Sequence, residues 1–245
     1  MFSYFDKIYE LLEIVKHQEK DNMIKVASIM SENIMNNKSI FIFGASHAGI
    51  LTQELFYRAG GLITINPIFA KEVMLDISPI TSTSKMERLE GYGTIIGENV
   101  EFKKGDLLIV HSVSGRNPVA IDLALYAKSK GVIIACITNK KYSLSTLSRH
   151  SSKLRMLEIS DVVIDNHGDI GDASCSIDGY KQKIAPTSTV VGASILNEIV
   201  VQVCNNLSEK NVSPLPIFYS ANLDGGDKLN EELFKKYKST IHYKL

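Results

Sequence analysis

The chain has 245 residues, 44% of them hydrophobic and 22% charged, and its 27 Lys and Arg balance 27 Asp and Glu. These are proportions of a folded chain, and they exclude a disordered or fibrous one. Zero net charge argues against a nucleic-acid binder that works through a basic face. Three scattered cysteines, Cys136, Cys175 and Cys204, make neither a disulfide framework nor a CxxC zinc site.

The N-terminal stretch has acidic residues within its apolar pattern and does not read as a signal peptide. No apolar run reaches membrane-spanning length. The expectation is a cytoplasmic protein with no membrane or nucleic-acid partner. Phe2, Phe5, Tyr9, Leu12 and Val15 recur at three- and four-residue steps, which predicts one helix face. Met23, Val26, Met30 and Ile34 repeat the pattern after a polar break, so two helices or one bent helix precede the first strand.

From residue 39 short β-rich runs alternate with helical segments. Strands are predicted at Ser39–Phe43, Leu62–Asn66, Asp106–His111, Val132–Thr138 and Val162–Asp165. The runs are apolar on both sides of the pleat, as in a parallel sheet covered on both faces. A helix is predicted from the first turn to about Arg58, and another opens at Pro118, whose fixed φ suits a first helical position. A long, nearly all-apolar helix runs from about Ser188 to Leu207, and a short one covers Asp227–Tyr237. One domain over 1–245 is expected, with a helical extension at 1–37 and a tail at 210–245.

Ligands of such sheets bind beyond the carboxyl ends of the strands. Two strand-to-helix turns there are rich in Gly and Ser, which aims backbone N–H groups and hydroxyls at an anion. The first, Gly44-Ala45-Ser46-His47-Ala48-Gly49, lacks the middle glycine of GxGxxG. The second strand ends on Asn66 rather than on a ribose-binding acid, so a dinucleotide site is disfavoured. No GxxxxGK[ST] occurs. The second turn, Ser112-Val113-Ser114-Gly115-Arg116-Asn117-Pro118, is the stronger signal. A helix cap accounts for Asn117 and Pro118 but not for two serines around a glycine. Arg116 is a fork donor there or a plain surface arginine. Thr187, Ser188 and Thr189 open the apolar helix, and one anion shared by all three turns is the simpler account.

The strand–SxSGx[TN]–helix pattern, after an earlier Gly/Ser/His turn, resembles the sugar isomerase (SIS) domain family over roughly residues 20 to 210. The runs FYRAGG (56–61), MERLEGYG (86–93), SGRNP (114–118), DVVIDNH (161–167), PTSTVVG (186–192) and SANLDGGD (220–227) are similar to a single-domain subgroup related to phosphoheptose isomerase. The resemblance implies a three-layer α/β/α sandwich with a parallel five-stranded, flavodoxin-like sheet. It implies a phosphosugar held by Gly44, Ser46, Ser112, Ser114, Gly115, Arg116, Asn117, Thr187, Ser188 and Thr189. It also implies a homodimer or homotetramer with sites near the interface, reached by the SANLDGGD tail. Two departures stand out: the family's GxGxS reads Gly44, Ser46, Ala48 here, and Asn117 replaces the Thr of SxSGxT.

The reaction implied is aldose–ketose isomerisation through an enediol, without a cofactor. Glu198 is the positional match for the base, although Ser194, Glu198, Gln202 and Asn205 also form a polar helix stripe. His47 sits in the first turn, and Glu54 is a weaker carboxylate. Asp165, His167, Asp169 and Asp172 share a loop whose spacing fits no metal motif, so no metal is assigned. His167 and Asp172 are read as acid/base or hydroxyl ligands. His111 is read as core, and the segment Lys71–Tyr92 as a lid. The alternatives are a non-catalytic phosphosugar-binding regulator and an amino-sugar-phosphate lyase or etherase.

Overall fold

The computed structural model describes residues 2–244. In chain order its elements are α1 (Ser3–Gln18), α2 (Lys20–Met35), β1 (Ile40–Gly44), α3 (Ile50–Leu55), β2 (Ile65–Pro67), α4 (Thr81–Glu87), α5 (Tyr92–Glu98), β3 (Leu107–His111), α6 (Pro118–Ser129), β4 (Ile133–Thr138), α7 (Lys140–Leu144), α8 (Met156–Ile159), β5 (Val162–Asp165), β6 (Ala173–Cys175), β7 (Ile184–Pro186), α9 (Ser188–Glu209) and α10 (Gly226–Tyr237). A single 3-10 turn, Ser46–Gly49, joins β1 to α3.

Five strands form one parallel sheet in the order β2-β1-β3-β4-β5. Alternate residues of each strand enter opposite layers of a three-layer α/β/α sandwich. Ile40, Ile42, Leu107, Ile109, Ala135, Ile137, Val162 and Ile164 pack with the N-terminal helices and α9. Phe41, Phe43, Leu108, Val110, Ile134 and Cys136 pack with α5, α6 and α8. Both faces are buried, so the strands are apolar throughout.

The helix α9 is long and apolar enough by composition to cross a membrane. Here its Val191, Ile195, Ile199, Val203 and Leu207 are buried in the core layer. Each such side chain stabilises the fold by roughly 1.5–3 kcal/mol.

Two sequence expectations are corrected. The predicted stripe splits: Phe2, Phe5 and Tyr9 face outward, Phe5 and Tyr9 with exposures of 56% and 65%, while Val15 joins Ile8 and Leu11 on the core face and Leu12 packs at its margin. The two stripes lie about 100° apart around the axis, and periodicity alone cannot say which is inside. The second strand is shorter and later than expected, because Leu62 pairs instead with Ile217 of the tail in an antiparallel bridge. Asn66, where a ribose-binding acid was looked for, is buried and fastens the tail: it donates to Thr240 O at 2.8 Å and accepts from His242 N at 2.7 Å.

The register aligns Gly44 with His111 and His111 with Ile137. Strands β1 and β3 are therefore neighbours whose carboxyl ends finish level. The chain leaves β1 towards one edge for β2 and returns on the other side for β3. Their two Gly/Ser turns thus adjoin at the point where the strand order reverses, which is where open α/β sheets hold ligands.

Candidate functional site

A cleft of about 210 Å³ opens between these turns. It is lined by Ala45, Ser46, His47 and Ala48 from the first turn and by His111, Ser112, Val113, Ser114 and Asn117 from the second. Glu87, Tyr142 and Asp172 complete it. A larger hollow of about 730 Å³ lies at the β2 edge, but it contains neither Gly/Ser turn.

Backbone packing shapes the first turn. A Cβ on Gly44 would stand 2.3 Å from the Ala48 carbonyl oxygen, so only glycine lets the chain fold back this tightly. The Ala48 carbonyl accepts a hydrogen bond from His111 Nδ1 at 3.2 Å. Gly115, in the second turn, has φ +62°, a region that disfavours other residues. Its carbonyl accepts from Met156 N at 2.8 Å, anchoring the turn on α8. Among the described residues the hydroxyls of Ser112 and Ser114 meet no protein partner; Ser112 is bonded through its backbone, to Ile137 O and from Thr138 Oγ1. Two free hydroxyls on a glycine turn remain available to a ligand.

His111 is buried, as expected at the strand end, and it also lines the cleft. It is 1% exposed, and burial pushes its pKa down to about 4, against the opposite pull of the Ala48 hydrogen bond and the Asp172 charge. The imidazole is therefore neutral at pH 7. A carbonyl can only accept, so the proton sits on Nδ1 and Nε2 carries the lone pair. Nε2 is buried with no hydrogen-bond partner.

Asn117 also departs from expectation. It occupies the N-cap position of α6, with Pro118 at the first helical position, but its side chain makes no cap bond. Its Nδ2 donates to Glu87 Oε2 at 2.6 Å, and its Oδ1 accepts from Arg149 at 2.8 Å. Glu87 comes from the end of α4, in the segment read as a lid. That segment is fixed to the body, since Gly91 N donates to Asp122 Oδ2 of α6 at 2.6 Å. Burial raises the Glu87 pKa above the ordinary carboxylate range, although Asn117, Ser46, Arg88 and Arg149 all favour its charged form. Sequence reading missed this carboxylate. Its only signal was an acidic residue in the MERLEGYG run, since nothing in α4's pattern shows that it folds over the second turn.

Other expected groups lie elsewhere. Glu198 is exposed on α9, in a separate hollow of about 420 Å³ formed with Leu12, Lys16 and His17 of α1 and Lys20 of α2. Ten residues separate it from Ser188, so helix rise carries it about 15 Å from the strand ends. His167 is drawn off by the α1–α2 junction: its Nε2 lies 3.2 Å from Glu19 Oε1, and its backbone N–H donates to Asp165 at 2.9 Å. Asp169 pairs with Lys183 at 2.8 Å. Among the described residues no three His, Cys, Asp or Glu side chains converge as metal ligands.

The third turn already holds a carboxylate of the chain. Asp172 lines the cleft but is committed to the start of α9, accepting from Thr187 N at 3.2 Å, Ser188 N at 2.8 Å and Ser188 Oγ at 2.6 Å. A carboxylate already caps the helix, and its charge repels a second anion there. The Ser188 hydroxyl is therefore engaged within the protein, while the Thr187 hydroxyl is buried without a partner. His47 is exposed at the cleft wall, and Arg116 stands beside Asn117 with its Nε buried and unpartnered.

The SIS domain family model matches residues 3–139, the stretch that holds both Gly/Ser turns and Glu87. The chain belongs to the SIS domain family. A UPF0309 protein from Shouchella clausii is 51% identical over 98% of this chain and 97% of its own length. Another from Oceanobacillus iheyensis is 50% identical over 99% and 98%. Among solved structures, a phosphoheptose isomerase from Francisella tularensis superposes with TM-score 0.53 at 12% identity, covering 82% of this chain and 94% of that one. One from Neisseria gonorrhoeae gives 0.51 at 13% identity, covering 84% and 96%. At such identity the likeness is one of fold.

Proposed function

We propose that the SIS cleft binds a phosphorylated sugar and catalyses aldose–ketose isomerisation, with Glu87 as the proton-carrying carboxylate. One observation carries the reading: a half-buried carboxylate with a raised pKa lines the same cleft as the free serine hydroxyls of a glycine turn. The phosphate meets the Ser112 and Ser114 hydroxyls and the backbone N–H groups around Gly115, with Ser46 opposite.

In the forward direction Glu87 takes the proton from C2 of the open-chain aldose and an enediol forms. The same carboxylate returns the proton to C1, so the hydrogen is moved and nothing is oxidised overall. A raised pKa makes Glu87 a stronger base than an ordinary carboxylate. The neutral Nε2 lone pair of His111 accepts the O2 hydroxyl proton and passes it to O1, so that the C1 carbonyl becomes a hydroxyl as the C2 carbonyl forms. His47, at the wall, is placed to assist ring opening. Both solved neighbours named above are described as phosphoheptose isomerases, which supports the reaction class without fixing the sugar.

The test is a pair of variants assayed by turnover and by isothermal titration. Glu87→Gln loses at least about 100-fold in kcat, the usual scale of general acid–base catalysis, and still binds the sugar phosphate. Glu198→Gln keeps wild-type turnover. The reverse pattern removes Glu87 from the mechanism; binding with no turnover in the wild-type protein makes the chain a phosphosugar-binding regulator.

A further inference from the structure

The chain has five arginines. Arg58 and Arg155 are paired with Glu54 and Glu158. Among the described residues Arg88, Arg116 and Arg149 form no ion pair, and these three gather at one rim of the cleft. The backbone joins two of them, since Arg149 N donates to Arg116 O at 3.0 Å. The Arg149 guanidinium donates to Asn117, Asn117 donates to Glu87, and Arg88 follows Glu87 at the end of α4. Asn117 and Glu87 line the cleft while Arg88 and Arg149 are exposed, so the guanidiniums stand one residue outward of the lining.

The cluster is electrostatically strained. Burial lowers the Arg149 pKa, and Arg116 and Arg88 lower it further by repulsion. The nearby carboxylate, Glu87, balances at most one of three cations. Arg116 Nε is buried without a partner. An unpaired guanidinium trio is stabilised when an anion sits among its forked donors. The turn hydroxyls and backbone N–H groups already suffice for the phosphate of the proposed substrate.

We infer that Arg88, Arg116 and Arg149 hold a second anionic group on the substrate, so that the ligand is a sugar phosphate bearing a carboxylate or another phosphate. This rests on the phosphosugar reading of the cleft. It narrows the substrate class from neutral-bodied sugar monophosphates to acidic ones, the remote anion being set apart from the carbons that react.

The experiment is isothermal titration of the full-length protein at about 0.15 M salt. The probes are glucose 6-phosphate, 6-phosphogluconate and fructose 1,6-bisphosphate, and the proteins are wild type and Arg88→Ala/Arg149→Ala. Far-UV circular dichroism and thermal melting verify that the double variant is folded. Wild type is expected to bind at least one doubly anionic probe 10-fold or more tighter than glucose 6-phosphate. The double variant loses that preference and keeps glucose 6-phosphate affinity within about twofold. A gain for 6-phosphogluconate alone identifies a carboxylate, and a gain for the bisphosphate alone identifies a phosphate. Equal affinities in the wild type, a preference that survives in the variant, or an equal loss for all probes overturns the inference and leaves the phosphosugar reading standing. Binding of none of the three by the wild type overturns both.

Discussion

His111 makes the stability of the fold depend on pH in a way that can be calculated. Its imidazole titrates at about 4 in the folded chain against 6.5 in the open one. Between those values the unfolded chain holds the extra proton, so stability falls as pH falls through this window. At about 1.36 kcal/mol per pH unit the full gap is worth on the order of 3 kcal/mol, most of it lost by pH 4.5. His111→Asn keeps an amide donor for the Ala48 carbonyl and cannot titrate. It leaves a small cavity whose effect is independent of pH. The wild-type advantage over the variant should therefore shrink by roughly 2–3 kcal/mol between pH 7.5 and pH 4.5. Urea unfolding followed by far-UV circular dichroism measures it, because the chain contains no tryptophan. Wild-type and variant stabilities that stay parallel across the range refute the neutral, partnerless imidazole.

Three further outcomes follow from named contacts. Ser112→Ala and Ser114→Ala should each raise the KM for a sugar phosphate roughly 10-fold, the worth of a hydrogen bond to a charged group, with kcat little changed; an unaltered KM removes the turn from the phosphate site. Asp172→Asn should destabilise the protein by about 1–2 kcal/mol through the lost charge at the start of α9, read as a lower urea midpoint. If stability is instead unchanged and sugar-phosphate affinity rises, the third turn does take the anion. Gly44→Ala should destabilise by at least about 1–3 kcal/mol, because its new methyl meets the Ala48 carbonyl at 2.3 Å. A melting temperature equal to wild type would show that the turn relaxes freely.

The sheet was legible because burial on both faces leaves uninterrupted apolar runs such as Phe41–Phe43 and Leu107–Val110. The two anion turns were legible because glycine and serine at strand ends have a local reason to be there. What was not legible is what arrives from far along the chain. Glu87 enters the cleft only because α4 folds over the second turn, and the side chain of the N-cap residue Asn117 turns to it instead of capping α6. Asp172 reaches the head of α9 from a loop 16 residues earlier, so the Ser188 hydroxyl looked free when it is bonded to that carboxylate. Glu198 matched by position in the sequence, but helix rise takes it to the α1 side of the molecule. The outward stripe of α1 shows the same limit, since a helical period does not name its buried face.

The account's central claim is proton transfer at a sugar carbon inside this cleft. Proton NMR in D₂O, with the wild-type protein and a pool of hexose, heptose and acidic sugar phosphates, tests it most directly. The predicted result is loss of the C2 proton signal of one aldose phosphate and growth of the matching ketose, both absent with Glu87→Gln. A sugar phosphate whose signals broaden on binding while its C2 proton persists in full contradicts it.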